Sequence, residues 1–316
     1  MKLKLSIIIS FLYFFPLFAQ AQIQPNVPTY YIQDNDLSEE LKNIIISEGL
    51  DNSFSVGEDG LEKISFAVID LTGKEPRIGG VNMDNFIYPA SVYKMYVAAQ
   101  ILAQVSNCEH SLTKPYIAKF PNIVDMSKEI KTDPRPLLKD GDTVNINYLL
   151  DLMITRSDNS AANCLIDLAS RKKINEMMTQ YGWEGSEVTR KFLRRKYEDP
   201  GYEKVPGTMT CALHAADFMY KIYTNTMINP WVSMQLKCLL GRQLDKSKAA
   251  SGLPANAMYY NKTGWFSYWT NDVGIVDDGN LKYIFSLFIP LEEEKALPKF
   301  QAISSKVYNL MKSRIK

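Results

Sequence analysis

Histidine is almost missing from this chain: His110 and His214 are the only two in 316 residues. There is no C-x-x-C and no H-x-x-x-H, so the usual zinc ligand sets are excluded and no metal or other cofactor is expected. A Ser-His-Asp arrangement has little to draw on, because His214 falls in an apolar helical pattern that suits a packed or surface helix residue. Cysteine is scarce too. Cys108, Cys164, Cys211 and Cys238 are widely spaced and too few to scaffold a chain of this length, although export would permit one or two bridges. Net charge is also lacking. With Lys2 and Lys4 set aside, 34 basic residues stand against 35 acidic ones. Such balance gives no electrostatic case for nucleic acid or an anionic membrane surface as a partner.

Long apolar runs are absent with one exception. Leu5 to Phe18 follows Lys2 and Lys4 and precedes Ala19-Gln20-Ala21. It is shorter than the roughly 20 residues that span a bilayer, and its basic start and small-residue end are those of a secretory signal. Residues 1–21 are therefore expected to be a signal peptide. No cysteine near the cut offers a lipid anchor. The expected product is a secreted, periplasmic protein of residues 22–316 with no stable membrane anchor.

What is present is a change of period along the chain. Ser38, with Glu39 and Glu40, predicts a helix start running to about Gly49; residues 64–71 and the segment after Thr72-Gly73-Lys74 predict two strands. Helical patterns follow over 91–106, 145–155, 160–181 and 208–240, the last broken near Pro230. Two long irregular stretches, 115–142 and 182–207, lie among them, and loops of that length tend to be functional. Strands return at 258–264, 271–276 and 283–290, with a final helix over 293–312. The order predicts an α+β fold. Its antiparallel sheet is built from both chain ends (about 37–90 and 245–316), with a helical lobe (about 91–244) inserted between.

The chemistry is carried by three short motifs. Ser91-Val-Tyr-Lys94 follows a proline, which places Ser91 at a helix N-terminus with Lys94 on the same side. A serine hydroxyl needs a base, and a lysine can be that base when it is neutral. The spacing alone means little, because Ser111/Lys114, Ser170/Lys173 and Ser313/Lys316 share it. Ser157-Asp158-Asn159 lies between two helical patterns, where a turn can aim side chains into a cleft or simply cap a helix. Lys262-Thr263-Gly264 lies on a predicted strand, where a glycine is explained by a ligand approaching the backbone. The three occur in order, 66 and 105 positions apart.

With this set the sequence resembles the class A serine β-lactamases and their relatives among the penicillin-binding D-alanyl-D-alanine peptidases. The resemblance covers nearly all of residues 22–316 and includes Asn163, which matches a structural asparagine of that family. It implies a β-lactamase/transpeptidase-like fold and a small-molecule β-lactam or acyl-D-Ala-type substrate. Ser91 would be acylated, Lys94 would act as base or relay, and Ser157 would pass a proton to the leaving nitrogen. Asn159 would hold Lys94 and a substrate amide, while Lys262 and Thr263, followed by Gly264, would bind the substrate carboxylate. Backbone N–H groups of Ser91 and Trp265 would form the oxyanion hole.

The loop over 182–207 departs from the family. The Glu that frees the acyl-enzyme is replaced in its neighbourhood by Arg195, and the aspartate that closes the loop's neck is missing before Thr208. Glu198 and Glu203 are the available carboxylates, and Glu198 is the candidate base. Five of the seven residues from Arg190 to Lys196 are basic, a pattern that suits a solvated face. Trp265, Phe266, Tyr268 and Trp269 suit either an acyl pocket or packing under the sheet. The expected activity is β-lactam hydrolysis of class A type. The altered loop keeps open acyl transfer on a D-alanyl peptide or ester, and a penicillin-binding sensor or sink that does not turn over.

Overall fold

The computed structural model describes residues 26–119, 130–202 and 204–315. The expected signal peptide and Glu203 lie outside the described residues. The chain enters as a two-residue strand, β1 (Ile32–Gln33), and then forms helix α1 (Asn35–Ser47). The helix begins one turn before Ser38. Asp34 is the cap, its carboxylate accepting from the Leu37 N–H at 2.8 Å, while the Ser38 hydroxyl donates to the Asp34 carbonyl at 2.9 Å. Asp34 wins because its backbone is extended, as an N-cap requires.

A small hairpin, β2 (Phe54–Ser55) with β3 (Leu61–Glu62), precedes the long strands β4 (Ser65–Asp70) and β5 (Arg77–Val81). After the helical block come β8 (Met258–Phe266), β9 (Trp269–Asp277) and β10 (Lys282–Ile289), and the chain closes with α8 (Glu293–Ser313). The principal sheet has the order β1-β5-β4-β10-β9-β8. Every pairing is antiparallel except β1 with β5, which the sequence reading lacked. Strand β10 pairs with β4, Phe285 opposite Val68, so the two chain ends meet in mid-sheet. Arg314, just beyond α8, adds ion pairs to Asp34 and, at 2.7 Å, to Asp70.

All six residues of β4 are buried, because both faces of the sheet are covered. Phe66 and Val68 join Tyr283, Phe285 and Leu287 in a core beneath α1 and α8. Ala67 and Ile69 point the other way and join Ile284 and Phe288 in the larger core shared with the helices. That core surrounds α2 (Lys94–Ser106), which is buried from Lys94 to Gln104. A two-stranded antiparallel sheet, β6 (Pro115–Ile117) with β7 (Thr143–Asn145), leads into α3 (Ile146–Thr155).

The sequence predicts one helix over 160–181, but there are two, α4 (Asn159–Ala169) and α5 (Arg171–Gln180). Ser170 separates them with φ of 70° while its N–H still bonds to Ile166. The break lets α4 pack on α2 and α3 while α5 turns back onto α2. The next pair is α6 (Ala212–Tyr223), seated on β4, β9 and β10, and α7 (Pro230–Gly241). These are the two pieces expected on either side of a break near Pro230, which is the first residue of α7; Asn229 caps that helix, accepting from Val232 N–H at 2.9 Å. Among the described residues no helix is long and apolar enough to cross a membrane, and all four cysteines are unbridged.

Candidate active site

Pro89 leads into a 3-10 turn, Ala90–Tyr93, that runs straight into α2. In this tight turn residues three apart eclipse, so Ser91 stands over Lys94, with the Lys94 Nζ 3.0 Å from the Ser91 Oγ. Lys94 is fully buried and Ser91 is part-exposed, which leaves the hydroxyl open to a ligand and the amine enclosed.

The turn between α3 and α4 supplies the facing wall. Ser157 sits at φ of 61°, costly for a residue with a Cβ, and its neighbours hold it there. Asp158 caps α4 through Ala161 N–H at 2.8 Å and accepts from the fully buried Arg156 at 2.8 Å. Arg156 also donates to Asp133 and to the carbonyls of Arg135 and Pro136. The capping role therefore falls to Asp158, which leaves Ser157 and Asn159 turned toward Lys94. Lys94 Nζ lies 2.5 Å from the Ser157 carbonyl, 3.2 Å from the Ser157 Oγ and 2.7 Å from the Asn159 Oδ1.

Strand β8 is the sheet edge beside this turn. Its Lys262 is fully buried and donates to the Ser157 Oγ at 3.0 Å and to the Thr263 carbonyl at 2.7 Å. One serine hydroxyl thus lies between two lysine amines. Gly264 is explained by a neighbour different from the one the sequence suggested. A Cβ there would come 2.7 Å from the Pro89 carbonyl and 2.8 Å from the Ser91 nitrogen, so the glycine admits the turn that carries Ser91. Behind β8, Asp272 is wholly buried and accepts from Asn261 and the Ala249 N–H; burial pushes its carboxyl up to about 6. The Asn271 side chain donates to the Tyr88 carbonyl, fixing the approach to Pro89.

The loop over 182–207 closes without the missing aspartate. Thr189 Oγ1 donates to the Pro206 carbonyl at 2.8 Å, its N–H bonds to Thr208 Oγ1, and Glu187 bridges to Met209. Within the loop Phe192, not Arg195, comes to the site. Its ring lies 4.2 Å from the Lys94 Nζ and stacks on Tyr93 at 4.7 Å. Asn163, beyond the Ser157 turn on α4, accepts from the Phe192 N–H at 2.8 Å. Glu198 has no exposed side-chain surface. Its carboxylate pairs with Arg171, lies 3.7 Å from Arg190 Nε and accepts from Lys191 N–H at 3.1 Å. Arg190 and Lys191 are half-buried, and Lys191 also pairs with Asp167 and Asp199, so only Arg194, Arg195 and Lys196 of the basic run form a solvated face.

Residues 37–311 match the family model described as "Beta-lactamase enzyme family". The chain belongs to the β-lactamase enzyme family. It is a serine hydrolase of that family, with the α+β, β-lactamase/transpeptidase-like fold. PBP-A superposes with a TM-score of 0.73 at 18% identity, covering 91% of this chain and 100% of that one. The β-lactamase from Sphaerobacter thermophilus gives 0.73 at 17% identity, covering 87% and 98%. A mutant PBP-A in acyl-enzyme complex with penicillin G gives 0.72 at 18%, covering 89% and 98%. At these identities the likeness is one of fold. Among curated proteins, a trigger factor from Borreliella burgdorferi is 25% identical over 131 residues, 39% of this chain and 28% of that protein. The chain thus spans under a third of that curated relative.

The β-lactamase-family chain keeps its other expected residues apart from this cluster or at its rim. Trp265 and Phe266 follow Gly264 and are largely exposed, at 44% and 60%, with Phe266 edge-on to Tyr88. His214 is buried on α6, its Nδ1 2.8 Å from the Ser186 Oγ and its ring edge-on to Phe86. Burial holds its imidazole down to about 4. Lys173 pairs with Glu109 at 2.8 Å, so that Ser-x-x-Lys spacing is a surface coincidence. Phe192, Arg156 and Arg171 are the site residues that sequence reasoning missed. Asn163 was the one available pointer to Phe192.

Proposed function

We propose that this serine hydrolase works through an acyl-enzyme on Ser91, formed from β-lactams and from the acyl-D-Ala-type substrates they resemble. The observation that carries the reading is the set of partners around Lys94. The Ser157 carbonyl can only accept, and the Asn159 oxygen accepts as well. A neutral lysine has two N–H donors and one lone pair. In the structure the third N–H of Lys94 donates to the Ser91 Oγ at 3.0 Å; once the amine has given up that proton, with both remaining donors held by these oxygens, its lone pair points at the Ser91 hydroxyl as a general base requires. The second amine, of Lys262, lies on the far side of the Ser157 Oγ, to which it donates at 3.0 Å.

In this reading the Ser91 Oγ attacks the carbonyl carbon and its proton passes to Lys94. The Ser157 hydroxyl returns a proton to the leaving nitrogen. Lys262 and Thr263 receive the substrate carboxylate and Asn159 a substrate amide, while the backbone N–H groups of Ser91 and Trp265 face the developing oxyanion. Release of the acyl group is assigned differently from the sequence expectation. The Glu198 carboxylate is engaged by Arg171 and Lys191 N–H, which favours slow release over fast hydrolysis. A chromogenic cephalosporin tests both halves: a burst matching the enzyme concentration followed by a slow steady rate is expected. Fast sustained turnover would restore the class A reading, and neither burst nor turnover, with no adduct on Ser91, would remove the acyl-enzyme.

The leader over residues 1–21 supports export to the periplasm as part of the same proposal. Protein recovered from the cell envelope should begin at Gln22, and recovery with Met1 in the cytosol would contradict it.

A further inference from the structure

We infer that Glu198 and Arg171 form a latch that holds Phe192 against Lys94, and that this latch sets how long an acyl group stays on Ser91. The inference rests on the reading of Ser91 as the acylated residue. Hydrolysis of the Ser91 ester requires a water oxygen to bond to the acyl carbon. The bond from that carbon to Oγ breaks with its electron pair on Oγ, and the water's proton reaches Oγ through a base. Any such water needs hydrogen-bond partners beside the ester. The loop presents the face of a phenyl ring there instead, 4.2 Å from the Lys94 Nζ.

The ring is fixed from several directions. It stacks on Tyr93 with an interplanar angle of 8°, and its N–H is tied to Asn163. The preceding N–H, of Lys191, is tied to Glu198 at 3.1 Å. Two successive peptide groups are therefore pinned, one to α4 and one to the far half of the same loop. Arg171, the first residue of α5, secures that far half. It binds Glu198, donates to Asp199 at 2.8 Å, and lies 4.0 Å over the Tyr202 ring. The Glu198 side chain has no exposed surface and that of Arg171 only 9%, so the pair is shielded from the screening that weakens surface ion pairs. Removing one partner leaves the other charge buried, which makes the pair a strong constraint on loop position. Glu198 and Arg171 are positioning residues. They act through Phe192, which bars water.

The test uses the mature chain labelled with a fluorescent penicillin, measuring the rate of labelling and, after a chase, the rate of loss. Phe192→Ala and Glu198→Gln are expected to shorten the label's half-life by about tenfold or more, a larger change than in the labelling rate. The double variant should lose label no faster than Phe192→Ala alone, since both act on one barrier. Phe192→Tyr should keep the long half-life. Half-lives within about twofold of wild type in folded variants, or equal slowing of labelling and loss, would overturn the latch. If Glu198→Gln does not fold, Phe192→Ala with Arg171→Lys carries the same comparison. Wild-type protein that takes no label on Ser91 would instead remove the underlying reading, and the latch with it.

Discussion

A methyl group added to Gly264 would lie 2.8 Å from the backbone nitrogen of Ser91. Backbone on one side and a helix start on the other leave nothing flexible to move aside. Gly264→Ala is therefore expected to push β8 away from the 90–93 turn, costing about 1–3 kcal/mol of stability. On the proposed mechanism it should also slow acylation, because it shifts Ser91 relative to Lys262 and Thr263. Thermal melting and a labelling rate check both effects. A variant with wild-type values for both would show that the turn does not bear on β8.

The Ser157 hydroxyl is shared by two buried amines, at 3.2 Å from Lys94 and 3.0 Å from Lys262. On the proposed role of Ser157 in passing a proton to the leaving nitrogen, Ser157→Ala should reduce acylation by roughly 10²–10⁴-fold. The fold should survive, since Asp158 and not Ser157 caps α4. Labelling at close to the wild-type rate would take Ser157 out of the mechanism.

Arg156 gathers two carboxylates and two carbonyls in the interior behind that turn. Arg156→Met keeps much of the side chain's length and apolar stem but leaves Asp158 and Asp133 short of a buried partner. A loss of about 3–5 kcal/mol is expected, with slower acylation in whatever remains folded. Denaturant titration measures the first; an unchanged midpoint would mean that Arg135 alone satisfies Asp133.

His214 gives the fold a defined acid limit. Its imidazole is held near 4 by burial, against about 6.5 when unfolded, so the unfolded state binds the proton first as pH falls. Stability from this group is complete above pH 6.5 and is lost as pH falls toward 4, by roughly 3 kcal/mol. Asp272 works oppositely. Its raised carboxyl contributes stability below the unfolded value near 3.8 that is lost as pH rises through 6. Comparing melting temperatures from pH 4 to 7 for wild type and His214→Gln separates the two, since only the histidine slope should flatten. Identical slopes would reject the assignment.

Much of this was legible in the sequence because it is local. Strands β4, β9 and β10 announce themselves as apolar runs, and the Ser91, Ser157 and Lys262 motifs each fit within four residues. The three motifs meet because a 3-10 turn, a helix junction and an edge strand each present a side chain at a fixed point. Two-residue β1 and the β2–β3 hairpin are too short to leave a pattern. The break at Ser170 involves neither glycine nor proline, and is set by the different neighbours of α4 and α5. Phe192 looks like any loop phenylalanine until Asn163, Tyr93 and Lys94 are seen around it. Glu198 was read as a carboxylate available to act as the base because its partner Arg171 lies 27 positions earlier.

The most direct test of the central claim is the site of covalent modification. Purified protein treated with benzylpenicillin, digested and analysed by mass spectrometry should carry one intact penicilloyl group on the peptide containing Ser91, and none in Ser91→Ala. Modification at another residue, or an equal adduct in Ser91→Ala, would contradict the account.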